Sequence, residues 1–102
     1  MIQINGTLTL APGTLADSPA TLEAMKTMVT ASRAEDGCIA YTFAQDLTDP
    51  DSIVIVERWR DGEALAAHGA SAHMAEFRKV MAEHPPLSRD LTMYETDDGK
   101  PI

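Results

Sequence analysis

Cysteine is nearly absent from the chain: Cys38 stands alone. An intrachain disulfide is therefore excluded, as is any metal cluster built on several thiolates, and a reducing compartment is expected. Positive charge is also scarce. Eight Lys and Arg face sixteen Asp and Glu, for a formal net charge of −8. With no basic cluster to offset it, that balance disfavours nucleic acid and anionic membrane surfaces as partners and favours solubility. No apolar run approaches the roughly 20 residues that span a bilayer. The opening Met1-Ile2-Gln3-Ile4-Asn5-Gly6 has neither a basic segment nor a long apolar one, so a secretory signal is not expected and a cytoplasmic location is. A glycine-rich phosphate loop opening a helix is missing, which leaves nucleotide cofactors without a recognisable site. Gly-x-Ser-x-Gly is missing too, which weakens a serine hydrolase reading.

What is present is a regular alternation of elements. The 102 residues suit one domain, with 44% apolar and 24% charged residues. We expect that domain over residues 1–96 and a tail over 97–102. Residues 2–10 alternate, with Ile2, Ile4, Leu8 and Leu10 on one face, as in a half-buried strand. Ser18-Pro19 opens a helix as N-cap and first helical residue. Leu22, Met25, Met28 and Val29 form its apolar stripe, and Gly37 is placed to end it. Residues 38–47 predict a second strand with Ile39, Tyr41 and Phe43 on one face, and residues 47–51 a turn. Residues 52–60 predict a third strand whose run Ile53-Val54-Ile55-Val56 is apolar on both faces. Asp61 caps a short helix over 62–68, which Gly69 interrupts. Ser71 caps another to about Glu83, stopped by Pro85-Pro86. Residues 87–96 predict a last strand. The order is β-α-β-β-α-β, the split pattern of a ferredoxin-like α+β fold. Helices should cover one face of the sheet. The doubly apolar third strand asks for cover on the other, and a second copy of the chain supplies it economically, so a homodimer is expected.

Chemistry-bearing residues concentrate in residues 55–73, which hold the only tryptophan and two of the three histidines. By strand alternation Glu57 and Trp59 share a face with Ile53 and Ile55. If that face meets the helices, Glu57 is a carboxylate in apolar company, and burial raises its pKa unless a donor bonds it. It is then a base or substrate anchor, or else a structural carboxylate paired with Arg58 or His68. His68 and His73 flank a helix break. Either can hold a phenolic ligand or move a proton, or simply order the Gly69-Ala70-Ser71 link. Their spacing of five is not that of a helical zinc pair, and no cysteine is near, which argues against zinc. Tyr41 and Tyr94 can bond a polar ligand or fill the core with the hydroxyl satisfied. Met25, Met28, Met74, Met81 and Met93 can line an adaptable pocket, though such helical spacing is normally a core stripe, and Met74, Phe77, Val80 and Met81 share one helix face. Cys38 has no cationic neighbour in sequence to activate it. His84 reads as an exposed residue before Pro85-Pro86.

One stretch carries a resemblance. Pro50-Asp51-Ser52-Ile53-Val54-Ile55-Val56-Glu57-Arg58-Trp59, then Ala64-Leu65-Ala66-Ala67-His68, then Ser71-Ala72-His73-Met74, resembles the antibiotic biosynthesis monooxygenase family and within it the small quinol monooxygenases. Glu35-Asp36-Gly37-Cys38-Ile39-Ala40-Tyr41 is similar to the family's helix-to-strand joint. The resemblance implies a dimeric α+β barrel with a pocket in each subunit between sheet and helices. It implies oxidation of electron-rich aromatic diols or anthrones by O2 with no cofactor: no flavin, haem or metal. It places His68 in substrate contact and proton transfer, with Glu57 orienting it. Trp59 becomes a wall, and His73, Tyr41 and Phe77 become substrate-binding residues. The haem-degrading branch of the family fits poorly. Asn5 is one residue out of step, His68 stands at the branch's tryptophan position, and Arg78 stands where its iron ligand would be. An isomerase or tautomerase of a small metabolite, and a non-catalytic ligand-binding protein, remain as alternatives.

Overall fold

The structure, a computed structural model, describes residues 1–102. Four strands form one antiparallel sheet: β1 (Ile2–Thr9), β2 (Cys38–Asp46), β3 (Asp49–Trp59) and β4 (Ser88–Glu95). Their spatial order is β2-β3-β1-β4, with β3 and β1 central. Four helices complete the chain: α1 (Thr14–Asp17), α2 (Pro19–Arg33), α3 (Gly62–Gly69) and α4 (Ala72–Met81). Apart from the extra turn α1 and the split of the second helical region, this is the ferredoxin-like α+β arrangement.

Local chemistry sets most boundaries. Ser18 Oγ accepts from the Thr21 amide at 3.3 Å, and Pro19 sits at the first helical position, where its missing N–H costs nothing. Asp61 caps α3 through the Ala64 amide at 2.9 Å. Ser71 caps α4 through the Met74 amide at 3.2 Å.

Four expectations need correction. Helix α2 ends at Arg33 with Ala34 as its C-cap, so Gly37 does not terminate it. Gly37 instead makes the turn into β2 at φ 80°, where a Cβ would come within 2.6 Å of Ala64 Cβ in α3. Ile39 does not share a face with Tyr41 and Phe43. The β2–β3 register shifts between Cys38 and Ala40, and Ile39 is left exposed at that bulge. The β2–β3 turn is shorter than expected, because β3 already begins at Asp49 and includes Pro50, at a strand start where proline is tolerated. No helix is expected between β1 and Ser18, yet α1 forms there, and the Gly13 amide that precedes it donates to Asp51 Oδ1 at 3.0 Å.

The apolar core lies between one sheet face and helices α2 and α4. Leu8, Leu10, Met25, Ile53, Ile55 and Met81 form one cluster. Ile2, Met28, Tyr41, Trp59 and Ala64 form a second, nearer α3. Trp59 has no exposed surface, and losing such a side chain costs about 3–5 kcal/mol. The face of β3 bearing Val54 and Val56 meets neither cluster. Gly6 permits close packing of β1 on β4: at φ 153°, a Cβ there would lie 1.8 Å from the Asp90 carbonyl oxygen.

Candidate active site

A cavity of about 320 Å³ opens between the sheet and α4. Its wall is mostly apolar, including Phe43, Ile55, Phe77 and Leu91; its polar lining comes from Glu57, Tyr41, Arg78 and Arg89. Glu57 reaches it because β3 alternates: Ile53, Ile55, Glu57 and Trp59 all point to the helix side, and all are buried. Its carboxylate is held by the indole of Trp59, whose Nε1–H donates to Glu57 Oε1 at 3.0 Å. Burial pushes the Glu57 pKa upward, and the carboxylate of Glu35 pushes the same way. The Trp59 N–H, His68 and Arg89 oppose the shift without reversing it.

His68 lies behind Glu57 rather than on the cavity wall. Its ring packs 4.6 Å from that of Trp59 and 5.2 Å from that of Tyr41, centroid to centroid. His68 Nδ1 makes a 2.6 Å hydrogen bond with Glu35 Oε2, in which the carboxylate can only accept. His68 Nε2 is 4.0 Å from Glu57 Oε1, too far for a hydrogen bond, and has no other partner. His73 Nε2 lies 3.3 Å from the same Glu35 Oε2 but is misaligned for a hydrogen bond and is also left without a partner. The polar cluster is therefore Glu35, His68, His73 and Glu57, with Glu57 alone of the four on the cavity side. Glu35, His68 and His73 also carry ligand atoms within 4.8 Å of one another, a set able to hold a metal ion.

Of the residues singled out from the sequence, Glu57, Tyr41 and Phe77 line the cavity. Trp59, His68 and His73 do not. Tyr41 has a pKa raised far above the ordinary phenol value, first by burial and then by Glu57, so its hydroxyl stays protonated and acts as a neutral hydrogen-bonding group. Cys38 is pushed up by burial and by Glu35 and Glu57, which keeps it a thiol rather than a nucleophile. Sequence reasoning assigned no role to Glu35, or to Arg78 and Arg89 as cavity residues. Glu35 stands in the quoted helix-to-strand joint, but its partner His68 is 33 residues away. Arg89 sits on β4, opposite Leu8, on the helix side of the sheet.

Comparison with known proteins decides the family: the profile of the antibiotic biosynthesis monooxygenases matches residues 1–80, most of the chain and every element through α3. The chain belongs to the antibiotic biosynthesis monooxygenase family. Among curated relatives, it is 38% identical over 52 residues to a Synechocystis protein of unassigned function, a match spanning 51% of this chain and 35% of that protein. It is 38% identical over 56 residues to Rv0793 of Mycobacterium tuberculosis, named as a proposed monooxygenase, spanning 55% of this chain and 54% of that protein. The matched region thus covers about a third and about half of those relatives. A solved structure from Deinococcus radiodurans, described under the same family name, superposes with a TM-score of 0.85 at 24% identity, covering 100% of this chain and 98% of the other. That likeness concerns the fold.

Proposed function

We propose that the chain oxidises an electron-rich aromatic diol or an anthrone with O2 in the cavity beside Glu57. The observation that carries this reading is the Glu57 carboxylate, buried and proton-hungry, on the wall of an otherwise apolar cavity in a chain of this family. A base with a raised pKa is well matched to removing a proton near neutral pH. Glu57 takes a proton from the substrate, either from a phenolic O–H or from the activated C–H of an anthrone. The resulting anion is a strong reductant. One electron passes from it to O2, and the radical pair recombines to a carbon-bound peroxide anion, which takes back the proton held by Glu57 to become a hydroperoxide. The freed Glu57 carboxylate then removes the remaining hydrogen on that carbon as a proton while the C=O forms and the O–O bond breaks, and this proton passes to the departing hydroxide as water. For an anthrone the sum is anthrone plus O2 giving anthraquinone plus water: one oxygen atom enters the product, the other leaves as water, and the substrate supplies all the electrons.

The remaining side chains support that sequence. Trp59 fixes Glu57 by its N–H. Arg78 and Arg89 bring positive charge to a cavity where an anion forms, and neither is engaged in a salt bridge within the chain. Phe43, Phe77 and Leu91 give the ring an apolar seat and limit water. In this reading Glu57 moves the proton. His68 positions the cluster behind it, a change of role from the one the family resemblance implied.

An oxygen electrode tests the proposal. Anthrone and naphthalene diols are expected to consume O2 above the uncatalysed background. Glu57→Gln is expected to lower the catalysed rate about 10²–10⁴-fold, the usual worth of a positioned acid–base group. His84→Ala, at an exposed site outside the cluster, should match the parent chain. Equal rates for the parent and Glu57→Gln would remove Glu57 from the chemistry. Turnover of a small metabolite under strict anaerobiosis would favour the isomerase reading, and tight ligand binding without turnover a binding protein.

A further inference from the structure

We propose that Glu35, His68 and His73 form a binding site for one divalent cation of the zinc class, set behind the cavity wall. Three separate elements bring the ligands together: Glu35 follows the end of α2, His68 is in the last turn of α3, and His73 is in the first turn of α4. Glu35 Oε2 lies 2.6 Å from His68 Nδ1 and 3.3 Å from His73 Nε2, and the three ligand atoms fit within 4.8 Å. Ligand atoms about 2.0–2.2 Å from a common tetrahedral ion stand roughly 3.3–3.6 Å apart, so the Glu35–His68 contact must open and the widest separation close by about an ångström each to seat the ion. Two imidazoles and one carboxylate form a nitrogen–oxygen donor set suited to Zn²⁺ and to neighbouring first-row ions, with coordination positions left for water.

Two features favour an ion over a plain hydrogen-bonded cluster. The first is the orphaned nitrogen. One Glu35 oxygen faces two imidazoles; it bonds His68 well and leaves the buried His73 Nε2 unpaired. A buried polar atom without a partner is costly, and a cation accepting lone pairs from all three groups removes the cost. The second is the outer shell. Metal-bound histidine characteristically turns its other ring N–H toward a carboxylate. An ion on His68 Nδ1 puts the proton on Nε2, which already faces Glu57 Oε1 at 4.0 Å. Glu57 is itself held by Trp59, so a shift of the His68 ring by about an ångström completes the outer shell. Entry is open: the Glu35 and His73 side chains retain 16% and 21% exposure, while His68 retains 3%. The chain's net charge of −8 favours a dication. None of the three ligands lines the cavity, so the ion is not a participant in the oxidation proposed above.

The test uses the full chain, treated with chelator and titrated with Zn²⁺ alone in a calorimeter. One ion per chain is expected at micromolar protein. Glu35→Gln and His73→Ala should each weaken binding by about tenfold or more, as loss of a metal-site residue does, while His84→Ala leaves it unchanged. Circular dichroism confirms that the variants fold. Nitrogen NMR of the unsubstituted protein supplies a readout free of that concern: the ring resonances of His68 and His73 should move on adding Zn²⁺, and those of His84 should not. Failure to bind stoichiometrically, binding undiminished in Glu35→Gln and His73→Ala, or histidine resonances that stay fixed would overturn the proposal. None of these results bears on the oxygen-electrode outcome, so the two readings stand or fall separately.

Discussion

Glu57 concentrates the competing forces of the molecule in one side chain. Its neighbours Trp59, His68 and Arg89 favour the anion, and burial outweighs them. An acid whose folded-state pKa is raised binds its proton more tightly in the folded chain. The stability this confers is complete below the unfolded-state pKa and is lost as pH climbs through the folded-state value. Glu57→Gln removes that loss while keeping an oxygen for the Trp59 N–H. Thermal unfolding should therefore show the variant gaining on the parent chain as pH rises from acid to neutral, and a gain that shrinks with rising pH would contradict the assignment. Trp59→Phe makes the complementary change. It removes the one donor on Glu57 Oε1 and keeps an aromatic ring in the core. A hydrogen bond to a charged group is worth about 1.5–3 kcal/mol, so the acid limb of the oxidation rate should move up by about one to two pH units. An unmoved limb would mean that another group titrates.

The joint between α2 and β2 controls the site at the scale of elements. It sets Glu35 against α3, and Gly37 makes that approach feasible. Its φ of 80° and the 2.6 Å that would separate an added Cβ from Ala64 Cβ both penalise a side chain. Gly37→Ala should cost about 1–3 kcal/mol and lower Tm by several degrees. Gly69, at the end of α3, has open space around it, so Gly69→Ala should be neutral or stabilising. Equal melting temperatures for the two variants would refute the joint's role. The joint also marks the limit of what a sequence shows. Alternation placed Ile53, Ile55, Glu57 and Trp59 on one face, and cap chemistry placed the starts of α2, α3 and α4, because both depend on residues a few positions apart. The exposure of Ile39 depends on a bulge against β3, and the turn before α1 is tied to Asp51, 38 residues from Gly13. Likewise Glu57 was legible as a buried carboxylate, whereas its separation from His68 by 4.0 Å, and the second carboxylate on the far side of that imidazole, depend on how three elements dock.

The whole molecule presents one sheet face without helices. Val54 and Val56 lie on it, in register with Thr7 and Asn5 of β1 and with Ala44 and Thr42 of β2. We propose that a second copy of the chain covers this face, as the apolar run of β3 and the family resemblance suggest. Sedimentation should then give twice the mass of the 11.0 kDa chain, and Val56→Glu, which sets a charge against its own image, should shift the protein to monomer. A monomeric parent chain would end that proposal. The central claim, that this molecule inserts oxygen into its substrate, is tested most directly by running the anthrone reaction under isotopically heavy O2 and weighing the products. One heavy atom in the anthraquinone and one in the released water, with no peroxide accumulating, is the expected result. Product carrying no heavy oxygen, or formed equally well without O2, would contradict it.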